Sequence, residues 1–147
     1  MSRDPLLEED VRAALAGDPR VAEQAIAVSG RAGSVTLRGT VSNPKHRRAA
    51  VEVARSVPGV ESVYDFLKVR LLPGDPRDDE LRGAALRSLI SDSRVRDDYV
   101  DVDVEAGWVT LRGEVRHQSE SDAAFEDVAG LDDVGGITNA IKVVTAP

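Results

Sequence analysis

Cysteine is absent from the 147 residues, so disulfides and thiolate chemistry are excluded and redox usage says nothing about compartment. Aromatic residues make up 3% of the chain, so Val, Leu, Ile and Ala must fill any core in place of large rings. No stretch approaches the roughly 20 apolar residues of a membrane-spanning helix, and the opening MSRDPLLEEDVRAAL holds no apolar run of signal-peptide type. The expectation is a soluble, cytoplasmic chain. Catalytic signatures are missing as well: there is no GxSxG elbow, no P-loop and no HExxH. His46 and His117 are the two histidines, each near a helix start and 71 positions apart. The chain is therefore expected to be no enzyme and to need neither cofactor nor metal.

Charge is unevenly spread. Residues 1–74 carry 11 Lys/Arg and 9 Asp/Glu, a net +2, whereas residues 75–147 carry 8 and 17, a net −9. Overall acidity argues against nucleic acid as a partner, because affinity for a phosphate backbone rests on Lys and Arg.

What the chain has in abundance is itself. GSVTLRGTV begins at Gly33 and GWVTLRGEV at Gly107, and the offset of 74 holds elsewhere without a gap. It carries Leu15 to Leu89, Arg20-Val21 to Arg94-Val95, Ala49-Ala50 to Ala123-Ala124, and Leu67-Lys68-Val69 to Ile141-Lys142-Val143. This is an internal duplication of nearly the whole chain, at a period that implies two small domains rather than a solenoid. Units of roughly 65 residues bury only about 60% of their unfolded surface, so the two are expected to pack on each other.

Each copy reads as helix, strand, strand, helix, strand. Asp4-Pro5 is an N-cap followed by a first-turn Pro, and Leu7, Val11, Ala14 and Leu15 recur at helical spacing until Gly17-Asp18-Pro19 stops the run. Val100, Val102 and Val104 alternate with acidic residues, as in a half-buried strand. A turn at Glu105-Ala106-Gly107 leads into Val109, Leu111, Gly113 and Val115, so the repeated phrase is the second strand of a hairpin. Gly33 and Gly107 serve the turns. Gly39 and Gly113 lie inside the strand, where Gly marks a bulge or a close backbone approach, and its recurrence suggests that a helix crosses there. Ser42-Asn43-Pro44 caps a second helix with Ala49, Ala50, Val53, Ala54 and Val57 as its buried stripe, and in the other copy Ser119 with Asp122 fits a capping box. The last strand carries Val63, Leu67, Val69 and Leu71 on one face. A right-handed crossover lays it parallel to the second strand. The expected boundaries are 4–71 and 78–145, with a short Pro-rich linker at 72–77.

This pattern resembles the BON domain of bacteria. The residues that carry the resemblance are Gly33, Val35, Leu37, Gly39, Val41, Gly59-Val60, Val63, Asp65, Leu67 and Val69. In the second copy they are Gly107, Val109, Leu111, Gly113, Val115, Val134, Ile137, Asn139, Ile141 and Val143. Asp65 stands where the family usually has Asn, and Asp133 replaces the Gly before Val134. The resemblance implies an α+β fold of two αββαβ units, each a three-stranded mixed sheet with two helices on one face. It implies a non-catalytic attachment module of the kind found in envelope and osmotic-stress proteins, with phospholipid or a partner protein as the target. A potassium-sensing relative keeps a cytosolic ion or small-ligand sensor open. The opposite charges of the halves keep a self-associating scaffold, a homo-oligomer, open too.

Candidate contact residues follow from position. Tyr64 and Phe66 alternate with Val63, Asp65, Leu67 and Val69, which puts both rings on the outer sheet face, where copy two has Thr138 and Ala140. Both rings are expected to be largely buried against the other unit or another chain. Trp108, a lone aromatic at the second hairpin, reads as partly packed, with a membrane-dipping tip as the alternative. Lys45, Arg47 and Arg48, in the first turns of the second helix, read as a solvated charged turn or as a basic spot for a headgroup, a phosphate or the acidic second unit. Asp65 and Asn139 are structural polar groups, expected to bond backbone at the adjoining turn. Asp101, Asp103 and Glu105 lack the Gly and Glu of an EF-hand loop and read as the wet face of a strand. Gly30-Arg31-Ala32-Gly33 spells the GxxG of a KH loop but joins two strands, so it reads as a hairpin turn.

Overall fold

The computed structural model of the chain describes residues 3–21, 25–70, 75–96 and 100–144. It divides into two units, Met1–Gly74 and Asp75–Pro147. The first runs α1 (Pro5–Ala16), β1 (Ala25–Arg31), β2 (Ser34–Val41), α2 (Pro44–Ser56) and β3 (Ser62–Val69). The second runs α3 (Pro76–Ser91), β4 (Val100–Glu105), β5 (Trp108–Val115), α4 (Gln118–Ala129) and β6 (Gly136–Val143). Helix α3 thus begins inside the segment 72–77 assigned to the linker, while residues 71–74 lie outside the described residues.

Both sheets are mixed and have the hairpin's second strand at the centre, in the orders β1-β2-β3 and β4-β5-β6. The first pair in each is antiparallel and the second parallel. In unit one α1 packs on β1 and α2, and α2 packs on β2 and β3; α3 and α4 repeat this on their own sheet. The fold is α+β, two αββαβ units. The cores are aliphatic, with Val11, Val35, Leu37 and Ala50 in the first and Leu86, Leu89, Val109 and Leu111 in the second all fully buried.

Local chemistry explains the element ends. Asp4 accepts from the Leu7 N–H at 3.1 Å, Asn43 from the His46 N–H at 2.9 Å and Asp75 from the Arg77 N–H at 2.9 Å, each followed by Pro at the first helical position. The capping box expected at Ser119 does not form. Helix α4 starts at Gln118, with His117 as an N-cap that makes no side-chain bond, and Asp122 instead accepts from Gln118 Nε2 at 2.9 Å. The register of the duplication sets this start, since Gln118 stands where unit one has Pro44.

The hairpin loops have two residues. Ala32 and Gly33 have φ of 48° and 84°, and Ala106 and Gly107 have 50° and 79°, the double positive φ of a type I′ turn. Gly39 and Gly113 have φ of 135° and 137°, and what approaches Gly39 is not a helix. A Cβ on Gly39 would run into the carbonyl of Ala25 on β1, so the close neighbour is the adjacent strand's backbone.

Buried charged side chains guard one edge of each sheet. Glu8 on α1, fully buried, accepts from the Gly30 N–H of β1 at 2.9 Å and pairs with Arg3. The equivalent position on α3 is Arg82, whose Nε donates to the Val102 carbonyl of β4 at 2.7 Å. The sign is reversed, but in both units a helix side chain occupies an edge-strand backbone group, which discourages pairing with another chain.

Candidate functional site

The residues that sequence reasoning grouped as one contact patch fall into three places. Tyr64 and Phe66 sit together on the outer face of the first sheet, where Thr36 opposes Tyr64 and Arg38 opposes Phe66 across β2. Their expected burial is not found: Tyr64 is 53% and Phe66 62% exposed. The first unit fills its core with aliphatic residues from the opposite sheet face, so nothing in its own packing draws the rings inward. Lys68, two residues on, shares their face and is exposed. The result is a surface of two adjacent rings flanked by cationic side chains.

Lys45, Arg47 and Arg48 lie on α2, on the helical side of the sheet and therefore away from the rings. All three are exposed. Arg47 is committed: its Nε donates to Asp65 Oδ2 at 2.7 Å. Asp65 Oδ1 accepts from the Leu67 N–H at 3.0 Å, two residues along its own strand. In unit two Asn139 Oδ1 accepts from the Ile141 N–H at 3.1 Å and its Nδ2 donates to Ser121 Oγ at 3.0 Å. So Asp65 and Asn139 do bond backbone, but in their own strand and not at the adjoining turn, and each also ties that strand to the helix above it. Ser121 is the counterpart of Arg47. The two copies have exchanged both partners together, Asp with Arg for Asn with Ser, which keeps the tie. This coupling joins positions 18 residues apart and has no signature in either segment alone.

Trp108 is not a projecting tip. Its indole N–H donates to Thr138 Oγ1 at 2.8 Å, and its ring lies across Gly136, where any side chain would collide with it. It remains 51% exposed. Gly136 and Thr138 correspond to Ser62 and Tyr64, so Trp108 covers on β6 the region that Tyr64 occupies on β3. Each outer sheet face therefore presents an aromatic at the same place, reached from different strands.

A second feature went unnoticed in the sequence. In unit two a cleft of about 680 Å³ opens between the start of α3, the β4–β5 turn and residues 131–133. Asp75, Asp78, Glu80, Asp132 and Asp133 line it together with Arg77. Asp78 is engaged, accepting from the Ala106 and Gly107 amides at 2.9 and 3.0 Å. Glu80, Asp132 and Asp133 replace Leu6, Pro58 and Gly59 of unit one. Asp133 even keeps the positive φ of that glycine, 68° against 96°. Among the described residues no group of three or more His, Asp or Glu has the arrangement of a metal site, and no helix is long and apolar enough to cross a membrane.

Two small αββαβ units in tandem, each a three-stranded mixed sheet with two helices, define the class of protein to which the chain belongs. The chain belongs to the BON-domain family, whose pattern matches residues 3–70 and again 77–145. It is similar to the osmotically inducible protein Y of Escherichia coli strain K12, with 31% identity over 148 residues that span 95% of this chain and 72% of that protein. Among solved structures it resembles CdsD, a structural protein of the type III secretion system of Chlamydia trachomatis, with a TM-score of 0.42 and 11% identity over 97% of this chain and 64% of that one. A second structure, of the C-terminal domain of CdsD, gives a TM-score of 0.40 and 9% identity over 96% of this chain and 67% of that one.

Proposed function

We propose that this tandem BON protein is a non-enzymatic attachment module of the osmotic stress response that docks on phospholipid surfaces through the outer sheet face of its first unit. The observation that carries this reading is the Tyr64–Phe66 pair, two neighbouring rings more than half exposed in a chain with only five aromatics. Aromatic rings suit the boundary between headgroups and acyl chains, and the flanking Arg38 and Lys68 suit phosphate. The likeness to an osmotically inducible protein supports the stress role. An anionic leaflet would repel the −9 half, so the contact is assigned to unit one.

Co-sedimentation with neutral and with anionic vesicles tests this. The wild-type chain is expected to pellet with vesicles, and a Tyr64→Ser/Phe66→Ser variant to stay in the supernatant with its melting temperature unchanged. Binding by neither protein, or equal binding by both, overturns the reading.

The acidic cleft of unit two favours a second reading, a sensor of cations or of a small cationic ligand. Its support is the gain of four carboxylates over the first unit, where Asp78 alone has an acidic counterpart, Asp4. Specific binding raises stability by mass action, so a melting shift peculiar to one of potassium, sodium or calcium at fixed ionic strength would favour it.

A further inference from the structure

The seam between α3 and α4 holds a carboxylate that its neighbours do not satisfy. Asp127 Oδ2 is shut off from solvent without a hydrogen-bond partner among the described residues, and the side chain keeps 14% of its surface exposed. Beside it stands Asp92, the C-cap of α3, with 11% exposed. Arg94 serves the cluster. Arg94 bonds Asp92 through Nε at 3.1 Å and Nη2 at 2.9 Å, and Glu126 through Nη1 at 3.3 Å. It reaches Asp127 Oδ1 only at 3.9 Å. Three carboxylates thus share one guanidinium. The strands under α4 add no charge on the face turned to it: β5 offers Val109 and Leu111, and β6 offers Ile137 and Ile141, with Asn139 bonded to Ser121.

The duplication supplies a control. Asp18, Arg20 and Glu52 are the counterparts of Asp92, Arg94 and Glu126, and they form the same ion pairs, at 2.8 and 3.7 Å. The counterpart of Asp127 is Val53. Unit one has the ion-pair frame without the extra acid.

We propose that Asp92 and Asp127 form a proton-operated latch at the α3–α4 seam, closed while the pair holds one proton and loosened when that proton leaves to solvent, a response that the first unit, with Val53 in place of Asp127, does not share. Burial, and then the Asp92 carboxylate, push Asp127 up from 3.8 to about 7, while the side-chain bonds of Arg94 hold Asp92 down at about 2. A carboxyl raised in the folded state binds more protons folded than unfolded between its two values. Its stabilisation is present at low pH, is lost as pH rises from 3.8 toward about 7, and changes no further above that. Asp92 acts in the opposite sense, and only at acid pH: its contribution is lost as pH falls from 3.8 toward about 2. Between pH 5 and pH 7 Asp127 therefore sets the sign.

The full chain provides its own reporter, because its one tryptophan, Trp108, lies in unit two. Urea unfolding followed by its fluorescence at pH 5, 6, 7 and 8 is expected to show the unfolding constant of the wild type rising by up to about tenfold per pH unit from 5 to 7. Asp127→Asn and Asp127→Val, the latter restoring the residue of unit one, are expected to remove that rise. Background titration of other groups is common to all three proteins and drops out of the comparison. Parallel pH profiles for wild type and Asp127→Asn overturn the latch. So does a ¹³C carboxyl titration of wild-type Asp127 with its midpoint in the ordinary carboxylate range, a measurement that needs no variant to fold.

Discussion

Gly39 shows how much one residue's geometry can carry. At φ 135° it occupies a conformation closed to L side chains, and the Ala25 carbonyl fills the space where a Cβ would stand. Gly39→Ala is expected to cost unit one more than about 3 kcal/mol in a urea melt, because strain and a backbone clash add. Gly30 on the neighbouring strand is the comparison. A Cβ there meets nothing nearer than Glu8 Cγ at 3.4 Å, so Gly30→Ala should stay within about 1 kcal/mol. The repeated strand glycine was legible in the sequence, yet the neighbour that demands it was not. A helix and a strand both require close approach, and only the register of β1 against β2 identifies which one is there.

At the scale of elements, the sheets are defended where their edges would otherwise pair. Removing the buried carboxylate in Glu8→Ala leaves the Gly30 N–H without its acceptor, at an expected cost of about 1–3 kcal/mol by denaturant unfolding. Glu9→Ala, which removes an exposed pair with Arg12 at 3.2 Å, should change stability by less than about 1 kcal/mol. On the other edge Asp65 occupies the Leu67 N–H. Asp65→Asn keeps the strand bond that Asn139 makes in unit two but gives up the ion pair with the exposed Arg47, so it should cost less than about 1 kcal/mol. Asp65→Ala is expected to lose about 1 kcal/mol and to raise the tendency to self-associate, readable by sedimentation, as the freed edge becomes available.

For the whole molecule, charge is the dominant asymmetry. With −9 on one half and +2 on the other, added salt should raise the unfolding midpoint reported by Trp108 by relieving self-repulsion in unit two. Under the attachment reading, sodium and potassium chloride at equal ionic strength are expected to do so equally. A potassium-specific rise would transfer the function to the acidic cleft. The same asymmetry keeps head-to-tail association a live outcome, and sedimentation at low and high salt decides it, because contacts between opposite charges weaken as they are screened.

The amino-acid sequence by itself determined the fold. Periodicity, caps followed by Pro and turn glycines are local signals, and the duplication states most of them twice, so one copy checks the other. It also placed Tyr64 and Phe66 on the outer face, because strand parity is a property of consecutive residues. What only the tertiary structure decided depends on atoms distant in the chain. The rings stand exposed where burial was expected, since exposure is fixed by what packs over a face and not by the strand that bears it. Trp108 lies down on Gly136, Asp65 and Asn139 tie strand to helix, and five carboxylates converge on one cleft from segments some fifty residues apart. Asp127 gave no warning either: along α4 it is one acid among several. Its unusual state arises because α3 ends beside it and brings Asp92 and one shared arginine.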